Sequence, residues 1–186
     1  MRRHTKAKKG SAGSALLEFA IALPLLVVFI VGIYDFSGAL NQKQKIGHAA
    51  QEGADVAGAQ PMTDMDPANT NPDSLQPVLE TIYASLAANN VVPPGSSLAG
   101  CTVTPSYVSG LKWSYAVSSC TADTLQIDID RGLLVDPGPP ASIRTEVKVT
   151  YPYHWRFNSV IQLAVPGATY AAVTTLSETA TVQNQM

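Results

Sequence analysis

At 186 residues with a formal net charge of −2, the chain holds one modest domain and no more. The charge is unevenly spread. Arg2, Arg3, Lys6, Lys8 and Lys9 all precede the first acid, and without them seven basic residues face fourteen acidic ones. A basic cluster abutting an apolar run is a topology signal, so nucleic acid is set aside as a partner. The two cysteines, with no histidines near them and no C-x-x-C, make neither a metal site nor a thiol-redox motif.

Residues 1–13 are polar, basic and rich in small side chains, and on their own have no reason to fold. From Phe19 to Tyr34 sixteen residues follow without a charge. Extended to Ala15 on one side and residue 36 on the other, this run is long enough as a helix to span hydrocarbon. Its length exceeds that of an ordinary signal-peptide core. The nearest small-residue cleavage pattern, Ala57-Gly58-Ala59, lies too far downstream for the usual cut. The basic leader is expected to stay in the cytoplasm and the C-terminal part to be exported. One ionisable residue, Glu18, interrupts the greasy stretch near its start. Such a carboxylate either lies at headgroup level or needs a partner. Pro24 removes one intrahelical hydrogen bond, which predicts a kink and points to packing against other subunits.

Past the span, Phe36, Leu40, Ala50, Ala54 and Ala57 recur near helical spacing, and Pro61 stops the pattern. The prediction is one helix over about 14–59, roughly 69 Å long at 1.5 Å per residue. Its membrane part covers about 15–36, and an exported domain occupies 60–186. Gly38, Gly47, Gly53 and Gly58 permit close approach of other elements. Residues 60–73 hold Asp64, Asp66, Asn69, Asn71 and Asp73. They lack the spacing and glycine of a calcium loop, so turn chemistry is expected rather than a metal site. Asp73 or Ser74 should cap a second helix whose apolar stripe is Leu75, Val78, Leu79, Ile82, Tyr83 and Leu86, stopped at Asn89-Asn90.

From Cys101 the period changes to two. Five strands are expected at 101–107, 112–119, 124–130, 144–153 and 169–182, with DPGPP at 136–140 as a turn and a short helix over 157–165. A hairpin turning at Ser109-Gly110-Leu111 places Cys101 opposite Cys120, and the exported side permits a bridge between them. The fold class is therefore α+β: a long N-terminal helix, a second amphipathic helix, and an antiparallel sheet of about five strands.

The string GSALLEFAIALPLL from Gly13 onward resembles the processing site of bacterial prepilins, and in its longer form the TadE-like minor pilins (pseudopilins) of the tight-adherence, or Tad, pilus. The resemblance runs from Gly13 to about Gly58 and is looser around Tyr151 and Tyr153. It implies cleavage by a prepilin peptidase between Gly13 and Ser14, with Glu18 at the fifth mature position. It also implies partners in the major Flp pilin, other minor pilins and the inner-membrane assembly platform. In a filament of parallel helices, Glu18 of one subunit would neutralise the new amine of its neighbour; burying either charge alone would cost several kcal/mol. The expected location is the cytoplasmic membrane, single-pass, with possible incorporation into an extracellular pilus.

No catalytic constellation is found. His4, His48 and His154 are scattered, and no G-x-S-x-G, H-E-x-x-H or phosphate-binding glycine loop occurs. No cofactor is expected. Asp128 and Asp130 share a strand face, best read as a solvated one. Tyr151 to Phe157 concentrates aromatic residues, either as a binding patch or as packing at a strand end. The rival to the pilin reading is an uncleaved, membrane-anchored binding or enzymatic domain, in which Gly13 and Glu18 carry no role.

Overall fold

The computed structural model describes residues 11–136, 142–156 and 173–185. The predicted short helix at 157–165, the start of the last predicted strand and most of the DPGPP turn lie outside these residues. The chain divides into two compact units. One contains the helix as far as Gly38, and the other runs from Ala39 to His154 and again from Val173.

Helix α1 spans Ser11–Ala59, 49 residues, with Pro24 inside it. In the first unit its large apolar side chains are exposed: Leu16, Leu17, Ile21 and Ile33 are each at least 65% exposed. Such an apolar surface is not tolerated in water, and this helix is long and apolar enough to cross a membrane. In the second unit the composition of α1 changes to small residues, and Ile46, Ala49, Ala50, Ala54 and Ala57 are buried. Small side chains allow close packing. A methyl group built on Gly53 would overlap Ile82, and one built on Gly58 would lie 3.1 Å from Val182.

A 3-10 turn, Asp73–Leu75, leads into helix α2, Gln76–Ala88, with Pro77 in its first turn. The expected cap by Asp73 or Ser74 is not made. The residue preceding the helix is Leu75, without a side-chain cap, and the Ser74 N–H instead donates to Asp64 Oδ2 at 2.8 Å. The α2 terminus is closed locally. Asn90 takes φ +57°, Val91 N–H reaches Leu86 O, and Lys45 Nζ of α1 donates to Asn89 O at 2.9 Å.

Five strands follow as an antiparallel meander in sequence order: β1 Thr102–Ser109, β2 Lys112–Ser118, β3 Leu125–Asp136, β4 Ser142–His154 and β5 Val173–Gln183. The β1–β2 turn uses Gly110 at φ +58°, a conformation that favours glycine. Strand β3 continues six residues past its expected end. The alternation breaks at Arg131-Gly132 because the register to β4 shifts between Asp130 and Leu133, and the strand resumes beyond this bulge.

The fold is α+β. One sheet face buries Trp113, Tyr115, Val117, Leu125, Ile127, Ile129, Val147, Val149 and Tyr151 against α2 and the second part of α1. The other face is polar. Ser114 donates to Asp128 at 2.6 Å, and Thr150 donates to Ser177.

Candidate functional site

The first turns of α1 carry the predicted processing motif. Gly13, Ser14 and Glu18 all lie in the helix and are exposed, and a side chain at Gly13 would meet nothing within 4 Å. Helical spacing brings positions 14 and 18 together, and Ser14 Oγ donates to Glu18 Oε1 at 3.1 Å. Six residues further on, Pro24 has no N–H to offer the Ala20 carbonyl, so one backbone acceptor in the apolar stretch lacks its intrahelical partner. At the C-terminal end of the run Asp35 is only 2% exposed. Sequence reasoning passed over this buried acid because it stands just beyond the uncharged stretch.

Residues 13–55 match the family model described as TadE-like protein. Over this segment the chain is similar to the TadE-like family. The match takes in the apolar part of α1 and most of the small-residue part, and none of the sheet. No curated protein and no solved structure matches the chain. The TadE-like segment is thus a helix with a bare apolar surface and one early carboxylate, continuing into a helix that forms part of a domain core.

The second unit is organised around several polar anchors. Cys101 and Cys120 are bridged, with a Cα–Cα distance of 4.9 Å, across the open end of the β1–β2 hairpin. Tyr83 Oη of α2 donates to Cys120 Sγ at 3.2 Å and lies 2.8 Å from Ser96 Oγ. Strand β3 supplies an anchor that sequence reasoning missed. Arg131 is 1% exposed, and its guanidinium donates to Gln60 O at 2.9 Å, Pro61 O at 3.2 Å and Thr145 Oγ1 at 3.3 Å. A cation is thereby placed against the first two carbonyls beyond the C-terminus of α1. Burial pushes the Arg131 guanidinium down, while the negative charge of Asp64 pushes it up. Period two on Ile127 and Ile129 already puts position 131 on the buried face, which is the signal that was available.

The Asp- and Asn-rich residues 60–73 serve as turn chemistry. Asp66 Oδ1 accepts from Ala68 N, Asn69 Oδ1 from Asn71 N, and Asn71 Oδ1 from Gln76 Nε2. Each oxygen serves its own turn, and among the described residues no group of three acid, histidine or cysteine side chains could hold a metal. Asp128 is bonded to Ser114 and stands opposite Lys148. Asp130 stands between Lys112 and Glu146 and accepts from Gly132 N. These are residues of a solvated sheet face. Tyr151 is in the core, His154 Nε2 lies 2.7 Å from Asp123 Oδ2, and Phe157 lies outside the described residues. His48 pairs along α1 with Glu52 at 3.2 Å, so His48 and His154 serve separate local pairs.

Proposed function

We propose that this TadE-like chain is a minor pilin of a tight-adherence pilus. It is inserted with its N-terminus inside and cut by a prepilin peptidase between Gly13 and Ser14. The mature subunit then enters the assembly through the apolar part of α1, alongside the major Flp pilin, other minor pilins and the inner-membrane platform. The exported domain, 60–186, stays outside the membrane. The role is structural and no catalytic step is assigned.

The observation that carries this reading is a bare apolar helix with one carboxylate, Glu18, four residues after a small residue that follows glycine. Cleavage removes all five leader cations and turns Ser14 into a cationic amine. In a bundle of parallel helices that amine neutralises Glu18 of a neighbour and sets the axial register, because either charge buried alone costs several kcal/mol. Pro24 contributes a helix break whose free carbonyl a neighbouring helix can satisfy.

Glu18→Ala tests the charge pairing. The variant is expected to insert and to fold its exported domain as the wild type does, while recruitment into the pilus assembly, read by co-purification with the other subunits, is lost. Unchanged recruitment of Glu18→Ala would remove the basis of the proposal.

A further inference from the structure

Three polar atoms in the exported domain are closed off from solvent and have no hydrogen-bond partner in the protein: Asp64 Oδ1, Ser74 Oγ and Tyr115 Oη. They belong to one neighbourhood. Ser74 N–H donates to Asp64 Oδ2 at 2.8 Å, so hydroxyl and carboxylate lie side by side without a well-formed bond between them. Tyr115 lies two positions from Trp113 on the same buried strand face. Trp113 Nε1 donates to Asn69 O at 2.9 Å, and the Asn69 amide in turn donates to Asp64 O at 3.1 Å. The loop that follows α1 is therefore folded down onto β2 at this point. The charge of Asp64 reaches Tyr115, whose hydroxyl is held protonated chiefly by burial.

Leaving three such atoms unsatisfied is costly, and folded proteins seldom accept it. We propose that one enclosed water molecule bridges Asp64 Oδ1, Ser74 Oγ and Tyr115 Oη. The chemistry matches atom for atom. Water donates to the carboxylate and accepts from the two hydroxyls, giving three hydrogen bonds, the usual number for a buried water. A metal cation fits poorly. The Arg131 guanidinium already acts on Asp64, and three oxygens of which one is a carboxylate fall short of the six to eight that calcium takes. The bridge joins the loop after α1, the 3-10 turn before α2 and strand β2, which no direct hydrogen bond among these three side chains does.

The test is made on the full chain in detergent micelles, comparing thermal and denaturant midpoints of Tyr115→Phe, Ser74→Ala and the double variant. If the water is present, each single change removes one of its bonds. The folding equilibrium constant falls about tenfold, as a loss of ~1.4 kcal/mol implies. The double variant loses less than the two singles together, because both act on one molecule. A Tyr115→Phe protein as stable as the wild type, or more so, overturns the proposal, since deleting a truly unsatisfied hydroxyl is neutral or favourable. Crystallography of the wild type at a resolution that shows waters provides the second arm. Density for a water within hydrogen-bonding distance of all three oxygens supports the bridge. A direct bond from Tyr115 Oη to Asp64, or a metal ion in that place, refutes it.

Discussion

Arg131 stands where the alternation of Ile127 and Ile129 leads one to expect a third apolar side chain, and its burial is tolerated because three acceptors surround it. Arg131→Met keeps the bulk and strands the Gln60 and Pro61 carbonyls. The domain that holds the sheet is expected to lose about 3–5 kcal/mol, read as a fall in the denaturant midpoint. The glycines of α1 differ in what surrounds them. A methyl at Gly47 meets only Glu178, at an ordinary 3.6 Å, so Gly47→Ala should stabilise by about 0.5–1 kcal/mol through the helix preference alone. At Gly53 the methyl collides with the buried Ile82, and Gly53→Ala should cost about 1–3 kcal/mol. Midpoints that move in the same direction for both glycines would contradict the packing described. Asp64 gives the acid response. Burial pushes its carboxyl up, but the hydrogen bond from the Ser74 N–H and the nearby Arg131 outweigh this, and its pKa ends below the ordinary value of 3.8. A lowered folded-state pKa means stability that is present above the unfolded value and is lost as pH falls through the folded one. Wild type should therefore lose stability below pH 3.8, and Asp64→Asn should flatten that part of the curve, measured as melting temperature against pH.

The elements show which signals a sequence carries plainly. Period two was unbroken in β2, in β4 and in the first half of β3, so the strands and their buried faces could be read directly, as could the stripe of α2. The pairing of Cys101 with Cys120 is also legible, since the Gly110 turn brings β2 back along β1; the register shift between Tyr107 and Ser109 is not. Reduction of this bridge, or Cys101→Ser with Cys120→Ser, is expected to cost about 3 kcal/mol for a closed loop of roughly twenty residues, seen as a lower denaturant midpoint. What stayed hidden depends on contacts between distant residues. The bulge at Arg131-Gly132 interrupts alternation locally, and only the register with β4 shows that the strand resumes. Asp73 and Ser74 are the nearest polar residues to the start of α2, yet neither caps it; the chain enters through a 3-10 turn whose Ser74 N–H is taken by Asp64, ten positions upstream. Asp35 was passed over for a similar reason: its burial comes from the fold and not from its place in the apolar run.

For the whole molecule, the charge asymmetry and the hydrophobic run are properties of composition, and they specify the N-terminal helix before any packing is known. The same helix changes character at about Ala39, from large exposed apolar side chains to small buried ones. That change is written in the sequence as the shift from Leu, Ile and Phe to Ala and Gly, and it marks where a stretch apolar enough to cross a membrane gives way to one that lines a domain core. The proposed role depends on a positive chain end that exists only after the leader is removed. Intact-mass analysis of the protein recovered from cells that also express a prepilin peptidase examines this most directly. The account predicts a mature chain beginning at Ser14, free of all five leader cations. A protein that still carries residues 1–13 under those conditions would contradict it.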